Sequence, residues 1–206
     1  MAEKKCLSGV LRDRQGLLVE YSAEYLVLPG RAGAFGEQIA RRQAAAAFRL
    51  VGPARRQRHL EGPAFQPYRA QGTVSRTYDR DGLYGCTGDW LVWAGLRGSS
   101  QSRWAAILDR QGRPMPVERL FRGLPPENAA LEVILPQAAE LARDGCTLYA
   151  DWRRALRAGF SWRRSYLTEA GFACWYPRCC LGPASTGLPT FLLPYTAVES
   201  WLKRPL

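Results

Sequence analysis

The sequence predicts an α+β fold, in which a mainly antiparallel sheet with hairpins carries three to four helices packed on it. Short runs of β-forming residues are separated by turn signals, and two longer stretches have apolar residues at helical spacing. Strands and helices follow in mixed order, which favours α+β over a parallel sheet with alternating helices. The chain has 206 residues, 47% of them hydrophobic, which is enough for a sizeable core.

Two strands and a helix are predicted at the N-terminus. Residues 6–28 contain two β-runs, because Arg12–Gly16 has the composition of a turn and Leu17–Leu28 is rich in β-formers. Residues 34–50 have the alanine content and apolar spacing of a helix. Gly52-Pro53 is expected to end this helix, and its buried face is expected to hold Phe35, Ile39, Ala46 and Leu50.

Residues 53–67 are expected to form a polar loop. They contain three prolines and the basic run Arg55, Arg56 and Arg58. The loop marks the predicted division into a strand–helix unit over residues 1–60 and a second region over residues 61–206, which together form one compact unit.

The middle of the chain is predicted to be a set of strands and tight turns. Residues 68–78 alternate as a strand does, and Asp79–Gly82 has the Asp-Gly composition of a hairpin turn. Leu83–Leu96 is expected to be one long strand or a strand pair, with Trp90 and Val92 on one face and Leu91 and Trp93 on the other. Trp104–Leu108 is a further short strand, and Asp109–Gly112 a further turn.

Residues 117–144 are predicted to be helical. Val117–Phe121 is a short piece and Glu127–Arg143 a longer helix, which Pro136 is expected to kink or restart. Thr147–Arg157 is predicted as another short helix because apolar residues recur at i, i+4 and i+8, namely Leu148, Trp152 and Leu156.

The C-terminal region is predicted to close the fold. Two β-runs flank a Glu-Ala-Gly turn and form a hairpin, and a loop rich in Gly, Pro and Cys follows. A last strand and a helical turn end the chain. These segments are Phe160–Leu167, Phe172–Tyr176, residues 177–189, Thr190–Pro194 and Ala197–Leu202.

The charge balance is strongly basic. Lys and Arg number 29 against 18 Asp and Glu, a net charge of +11. This excess favours an anionic partner, such as nucleic acid, an anionic membrane surface or an acidic polymer. The expected partner is a protein or an anionic polymer, with nucleic acid as an alternative. A second interpretation is compositional, because the basic residues are nearly all arginine, apart from Lys4, Lys5 and Lys203.

The sequence predicts no cofactor and no metal site. Six cysteines are present, but a single histidine, His59, means that a zinc site would need nearly all of them. We expect reduced, partly buried thiols. The N-terminus shows no signal peptide and no apolar run is long enough to span a membrane, so a soluble, cytoplasmic protein is expected.

The sequence also predicts that the protein is not an enzyme. His59 lies in a basic, proline-flanked segment without an evident nucleophile. No nucleophile elbow, phosphate-binding loop or dinucleotide fingerprint is present. Asp79 and Asp81 are interpreted as turn-forming residues.

The strongest candidate binding site is a doubled Trp-Arg-Arg motif. Arginine forks beside aromatic rings can hold phosphates and stack on bases. The alternative is that both tryptophans belong to the core and the arginines to a solvated face. The candidate residues are Trp152, Arg153, Arg154, Arg157, Trp162, Arg163 and Arg164.

The C-terminal motifs resemble those of a known family. Ser165–Phe172 reads Ser-Tyr-Leu-Thr-Glu-Ala-Gly-Phe, and Gly187–Tyr195 reads Gly-Leu-Pro-Thr-Phe-Leu-Leu-Pro-Tyr. With Leu108–Phe121 upstream, this pattern is similar to the RsiV-type C-terminal domain family. That family is a bacterial domain of unknown function found in the lysozyme-sensing anti-sigma factor RsiV and beside peptidoglycan deacetylases.

The resemblance implies a non-catalytic binding or regulatory module whose ligand is unknown. The alternative function is binding of a polyanion or single-stranded nucleic acid through the basic and aromatic surface. Family members often carry a Gly-Gly-Ala-His-Gly-like segment, whereas this chain has Ala94–Ser99 there, without a histidine.

Overall fold

The computed structural model describes residues 3–27, 32–123 and 125–206. In these ranges the chain has the predicted α+β fold, and most of its strand pairs are antiparallel. The strands are β1 (Glu3–Asp13), β2 (Gly16–Val27), β3 (Tyr68–Gly72), β4 (Ser75–Arg80), β5 (Leu83–Trp93), β6 (Ser99–Leu108), β7 (Pro114–Met115), β8 (Ser165–Leu167), β9 (Gly171–Trp175) and β10 (Thr190–Pro194). The α-helices are α1 (Ala32–Arg49), α2 (Val51–Glu61), α3 (Glu127–Arg143), α4 (Trp152–Gly159) and the short α5 (Tyr195–Val198).

The described residues group into two compact units. Unit 1 comprises Met1–Ser75, Gly88–Ser102 and Gln111–Arg113, and unit 2 comprises Arg76–Thr87, Arg103–Arg110 and Pro114–Leu206. Strands β5 and β6 contribute residues to both units. These units are groups of residues in mutual contact, which differ from domains that fold independently. The division at residue 60 therefore stays a prediction.

The sheet of unit 1 contains a parallel strand pair beside antiparallel ones. β1 and β2 form the predicted N-terminal hairpin, and β3 pairs antiparallel with β5. β2 and β3 are parallel, because the two helices between them carry the chain back to the starting end of the sheet. The predicted final residue of the second β-run, Leu28, lies outside the described residues.

Helix α1 was predicted correctly, but its buried face was not. The residues that pack against the sheet are Ala40, Ala44 and Ala47, with Gln43 beside them, whereas Phe35, Ile39, Ala46 and Leu50 are only partly buried. The close approach of α1 to β2 explains why these buried residues are small. A Cβ on Gly36 of this helix would lie 2.3 Å from the carbonyl oxygen of Leu26 in β2.

The prediction of a polar loop over residues 53–67 was wrong, because Val51–Glu61 forms α2. Gly52-Pro53 does not end helical structure but lies in the first turn of this second helix. Proline is tolerated there since the first N–H groups of a helix have no intrahelical partner. The basic residues of this segment therefore lie on a helix.

Unit 2 has an aromatic core beneath the β8–β9–β10 sheet. Both strand pairs of this sheet are antiparallel, and Thr190–Pro194 matches the predicted last strand. Helix α3 has the predicted bounds and does not restart at Pro136. Its buried side chains pack with the core aromatic residues, which include Phe121, Trp162, Phe172 and Tyr176.

The edge strand β10 is bonded to a side chain of α3. The Gln137 amide donates from Nε2 to the Leu192 carbonyl at 2.7 Å and accepts from the Leu192 N–H at 3.0 Å. One glutamine thus satisfies both main-chain groups of Leu192 that face away from β9.

Two further local predictions need correction. The short helix predicted over Thr147–Arg157 begins only at Trp152, after the N-cap Asp151. The β-run predicted over Phe160–Leu167 is a 3₁₀ turn at Trp162–Arg164 followed by the short β8. By contrast, the Asp-Gly hairpin turn is confirmed, since Asp81 and Gly82 both have positive φ, as this turn type requires.

Candidate binding surfaces

The doubled Trp-Arg-Arg motif does not expose its tryptophans. Trp152 and Trp162 are 7% and 4% exposed and belong to the core of unit 2. The Trp162 ring lies 4.7 Å from Phe121, 5.4 Å from Phe160 and 5.9 Å from Phe172, between ring centroids. Neither indole is therefore available for base stacking in this conformation.

The arginines of the motif divide into two groups. Arg164 is partly buried, and its Nη2 donates to the carbonyl of Gly159, the last residue of α4. It therefore caps the helix, where a cation also suits the helix dipole. The exposed group consists of Arg153, Arg154, Arg157 and Arg163.

Arg58, from the second basic run, supports the fold of unit 1. Its Nη1 donates to Asp13 Oδ1 at 2.7 Å and its Nη2 to the Leu17 carbonyl. The guanidinium also lies 4.8 Å from the centre of the Phe65 ring. These contacts join α2 to the turn between β1 and β2, so Arg58 is not free for a ligand.

The same ion pair affects the acidity of Asp13. Partial burial opposes ionisation of this carboxyl group, but the N–H of Gln15 and the charges of Arg58 and Arg55 favour it. The favourable interactions prevail and hold the pKa of Asp13 below its usual value.

Strand register in unit 1 places four residues in a row across the sheet. Val10 is opposite Glu20, Glu20 is opposite Arg69, and Arg69 is opposite Trp93. Because opposed residues of paired strands point to the same face, all four side chains share the face that α1 and α2 leave uncovered. A neighbouring row on that face holds Ser8, Ser22, Gln71 and Leu91.

This face forms a trough of about 1200 Å³. Its apolar ends are Val10 and Trp93, which are 49% and 39% exposed. Between them, Glu20 and Arg69 form a long ion pair of 3.9 Å in which both side chains stay largely exposed, at 56% and 75%. We use "the trough" for this cleft, whose other lining residues include Gln66, Pro67 and Gly95.

Sequence reasoning missed the trough as a site. It assigned Trp93 correctly to one face of its strand together with Leu91, but it had no means to bring Val10 and Arg69 beside it. The only usable signal was an aromatic residue on a strand face with polar neighbours. The register of the paired strands brings Val10 and Arg69 into line with Trp93. The sequence does not reveal the register of strands so far apart in the chain.

The strongly shifted titratable groups in the described residues are not activated for chemistry. Burial raises the pKa of the Cys86 and Cys174 thiols to about 12. Burial likewise raises the pKa of the Tyr84 hydroxyl to about 12. These thiols stay protonated near neutral pH, whereas a nucleophilic cysteine needs a lowered pKa.

Within residues 3–27, 32–123 and 125–206, no group of three or more His, Cys, Asp and Glu side chains is placed to hold a metal ion. None of the helices described is both long and apolar enough to cross a bilayer.

The fold and the trough define an α+β protein with a curled, mostly antiparallel sheet and an open sheet face. No protein-family model matches the chain, and no curated protein matches it either. Solved structures do resemble it. One is a DUF3298 family protein from Pseudomonas aeruginosa PAO1, with a TM-score of 0.67 and 15% identity over 100% of this chain and 95% of that one.

A second similar structure is a member of the DUF3298 family from Bacteroides fragilis NCTC 9343. Its TM-score is 0.62 at 13% identity, over 100% of this chain and 94% of that chain. At such identities the likeness establishes a shared fold. The neighbours belong to a bacterial domain family of unknown function, and the RsiV-type assignment stays a prediction.

Proposed function

We propose that the protein is a non-catalytic binding or regulatory module of the RsiV-type family, and that the trough receives an extended segment of a partner polypeptide. The single observation that carries the proposal is the row formed by Val10, Glu20, Arg69 and Trp93 on an uncovered sheet face. Tryptophan and arginine are both enriched on surfaces that bind other proteins.

The dimensions of the trough suit an extended peptide. Four strands at about 4.8 Å spacing give a surface about 15 Å wide, and an extended chain covers that width with about five residues. The exposed Glu20–Arg69 pair contributes little to stability. A peptide with one acidic and one basic side chain can therefore take over this ion pair, with its acidic group bound to Arg69 and its basic group bound to Glu20.

The proposed absence of catalysis is supported by the titratable groups. The buried thiols have raised pKa values, and His59 is exposed on α2. An active site would instead gather groups with pKa values near the working pH in one cleft. The trough is lined by one carboxylate, Glu20, and one guanidinium, Arg69, which are paired with each other.

The proposal is tested by peptide selection. A displayed library of peptides of about 12 residues, long enough to cross the trough, is first depleted on the double variant Arg69→Ala/Trp93→Ala and then selected on the unaltered protein. Enriched peptides are synthesised and titrated by fluorescence polarisation. We expect micromolar affinity that falls at least about ten-fold in the double variant, the loss of one hot-spot interaction.

A matched control removes the same kinds of side chain elsewhere. Arg56→Ala/Leu60→Ala deletes one exposed arginine and one exposed apolar residue from α2, away from the trough. It is expected to bind the selected peptides as the unaltered protein does. Failure to enrich any peptide, or equal affinity in both double variants, would contradict the assignment.

A further inference from the structure

Helix α4 separates its apolar and basic residues sharply. Trp152 and Leu156 point into the core of unit 2, while Arg153, Arg154 and Arg157 are exposed. Positions i, i+1 and i+4 of an α-helix lie within about 100° of one another. The three guanidinium groups therefore share one outer face, which we name the α4 arginine face.

The arginines of this face are not paired with an acidic side chain in the part of the chain that the structure describes. Within the described residues, none of the three forms an ion pair, whereas several other exposed arginines do, among them Arg41, Arg76 and Arg80. The nearest acidic residue in sequence is the N-cap Asp151, and its side chain makes no capping hydrogen bond. The face is a local excess of positive charge and not one half of a salt-bridge network.

Two of the three arginines occupy positions in the helix that are locally unfavourable. Arg153 and Arg154 lie in the first turn of α4, which contains no acidic residue. The N-terminal end of a helix dipole is positive, so basic residues there oppose it and an anion there is favoured. A bound anion would satisfy the guanidiniums and the dipole together. Residues that oppose a local structural preference, without another contact that compensates for it, are expected at functional sites.

One arginine is also held in place, and an exposed aromatic residue precedes α4 in the chain. The Arg153 guanidinium lies 4.5 Å from the centre of the Trp152 ring, which restricts its motion before a ligand arrives. Tyr149, which lies four residues before Arg153 in the chain, is 42% exposed. Its ring offers the stacking surface that the buried Trp152 and Trp162 do not.

We propose that the α4 arginine face, together with Tyr149, binds single-stranded nucleic acid. The guanidinium groups contact successive phosphates, and the Tyr149 ring stacks on an unpaired base. Planar forks match phosphate geometry better than ammonium groups do. An exposed aromatic ring favours an unpaired strand over a polyanion without bases. The proposal does not depend on the function of the trough.

The test measures binding of a fluorescent single-stranded oligonucleotide of about 15 nucleotides by anisotropy across a salt series. Three phosphate contacts predict a slope of log K against log salt concentration of about −2 from these arginines alone. The triple variant Arg153→Ala/Arg154→Ala/Arg157→Ala should lose at least about ten-fold in affinity at low salt, with the slope less negative by about 2.

The matched control distinguishes a site from overall charge. Arg42→Ala/Arg49→Ala/Arg56→Ala removes the same three charges from exposed positions on α1 and α2. It should keep nearly all the affinity. Both variants replace arginine with the best helix former, and circular dichroism confirms that each is folded. Equal losses in both variants, or no binding by the unaltered protein, would overturn the proposal.

Tyr149 distinguishes nucleic acid from a general polyanion. Tyr149→Ala should weaken oligonucleotide binding about five-fold or more, while Tyr149→Phe, which keeps the ring, should not. The affinity for heparin, which has no bases, should be the same in all these Tyr149 forms. If Tyr149→Ala leaves oligonucleotide binding unchanged, the assignment to nucleic acid is wrong.

Discussion

At the scale of single residues, two arginine-rich segments that look alike in sequence have different surroundings. Arg58 is largely buried and bonded to Asp13, Leu17 and Phe65, whereas Arg154 and Arg157 are exposed without an ion pair in the described chain. The residues around each arginine decide whether it is bonded within the fold or exposed, and a count of basic residues does not distinguish the two.

The Asp13–Arg58 pair predicts a pH dependence of stability. A carboxyl group whose pKa is lowered by folding stabilises the folded state above its unfolded pKa, near 3.9, and loses that contribution as the pH falls through the lower folded value. Asp13→Asn should therefore lower the Tm at pH 7. The difference from the unaltered protein should persist down to about pH 5 and shrink below about pH 4.

Asp79 provides the comparison for this experiment. It pairs with Arg76 at 3.0 Å, but both side chains are more than half exposed, so Asp79→Asn should change the Tm little at any pH. A Tm difference for Asp13→Asn that stayed constant down to pH 2 would show that the carboxylate charge is not the cause.

At the scale of elements, the sequence predicted those segments whose local signals agree with their surroundings. The Asp81-Gly82 turn, helix α3 and strand β10 were confirmed because turn chemistry, periodicity and burial coincide there. Helix α2 was missed because a Gly-Pro pair is found both just after the end of a helix and in the first turn of one. Gly52-Pro53 was interpreted as an end, whereas it lies in a first turn.

The candidate sites were less predictable than the elements. The trough needs Val10, Glu20, Arg69 and Trp93 to be in register across four strands, and no local pattern encodes that pairing. The Trp-Arg-Arg motif was found, but its tryptophans are core residues, and Tyr149 was not singled out. An aromatic residue beside arginines looks the same in sequence whether it is buried or exposed.

The close packing of α1 on β2 predicts that two glycine substitutions differ in their effect on stability. Gly36→Ala should destabilise the protein despite the better helix propensity of alanine, because the new Cβ would meet the Leu26 carbonyl oxygen at 2.3 Å and backbone would have to move. Gly52→Ala on α2 meets only the flexible end of Arg56, at 3.7 Å. Gly52 precedes Pro53, whose ring disfavours a helical backbone in a residue with a Cβ, so the gain in helix propensity is offset and the free energy of unfolding should change by less than about 0.5 kcal/mol.

Urea denaturation of both variants measures these changes, with unchanged m-values showing that the same transition is compared. The pair is informative because both substitutions add one methyl group to a helix. Stabilisation by Gly36→Ala would mean that α1 does not approach β2 as closely as described.

At the scale of the whole molecule, charge is the dominant unusual property. A net charge of +11 means that the like charges of the folded chain repel one another, which destabilises a compact state. The ion pairs described here are mostly exposed and are worth little individually. Repulsion is therefore expected to outweigh attraction at low ionic strength.

This balance predicts that added salt stabilises the protein. Raising NaCl from about 10 mM to about 150 mM shortens the screening length from about 30 Å to about 8 Å, so the Tm should rise. Sucrose at equal osmolality serves as the control, since it does not screen charge. A fall in Tm with NaCl would mean that attractive ion pairs outweigh the net repulsion.

The contact between Gln137 and Leu192 has a consequence for how molecules behave together. An edge strand with free main-chain groups is a template on which a strand of another molecule can add, which is a route to domain swapping and fibres. Here one amide side chain takes the place that an incoming strand would occupy at the centre of β10. Gln137 is therefore expected to disfavour the association of protein molecules through this edge at high protein concentration.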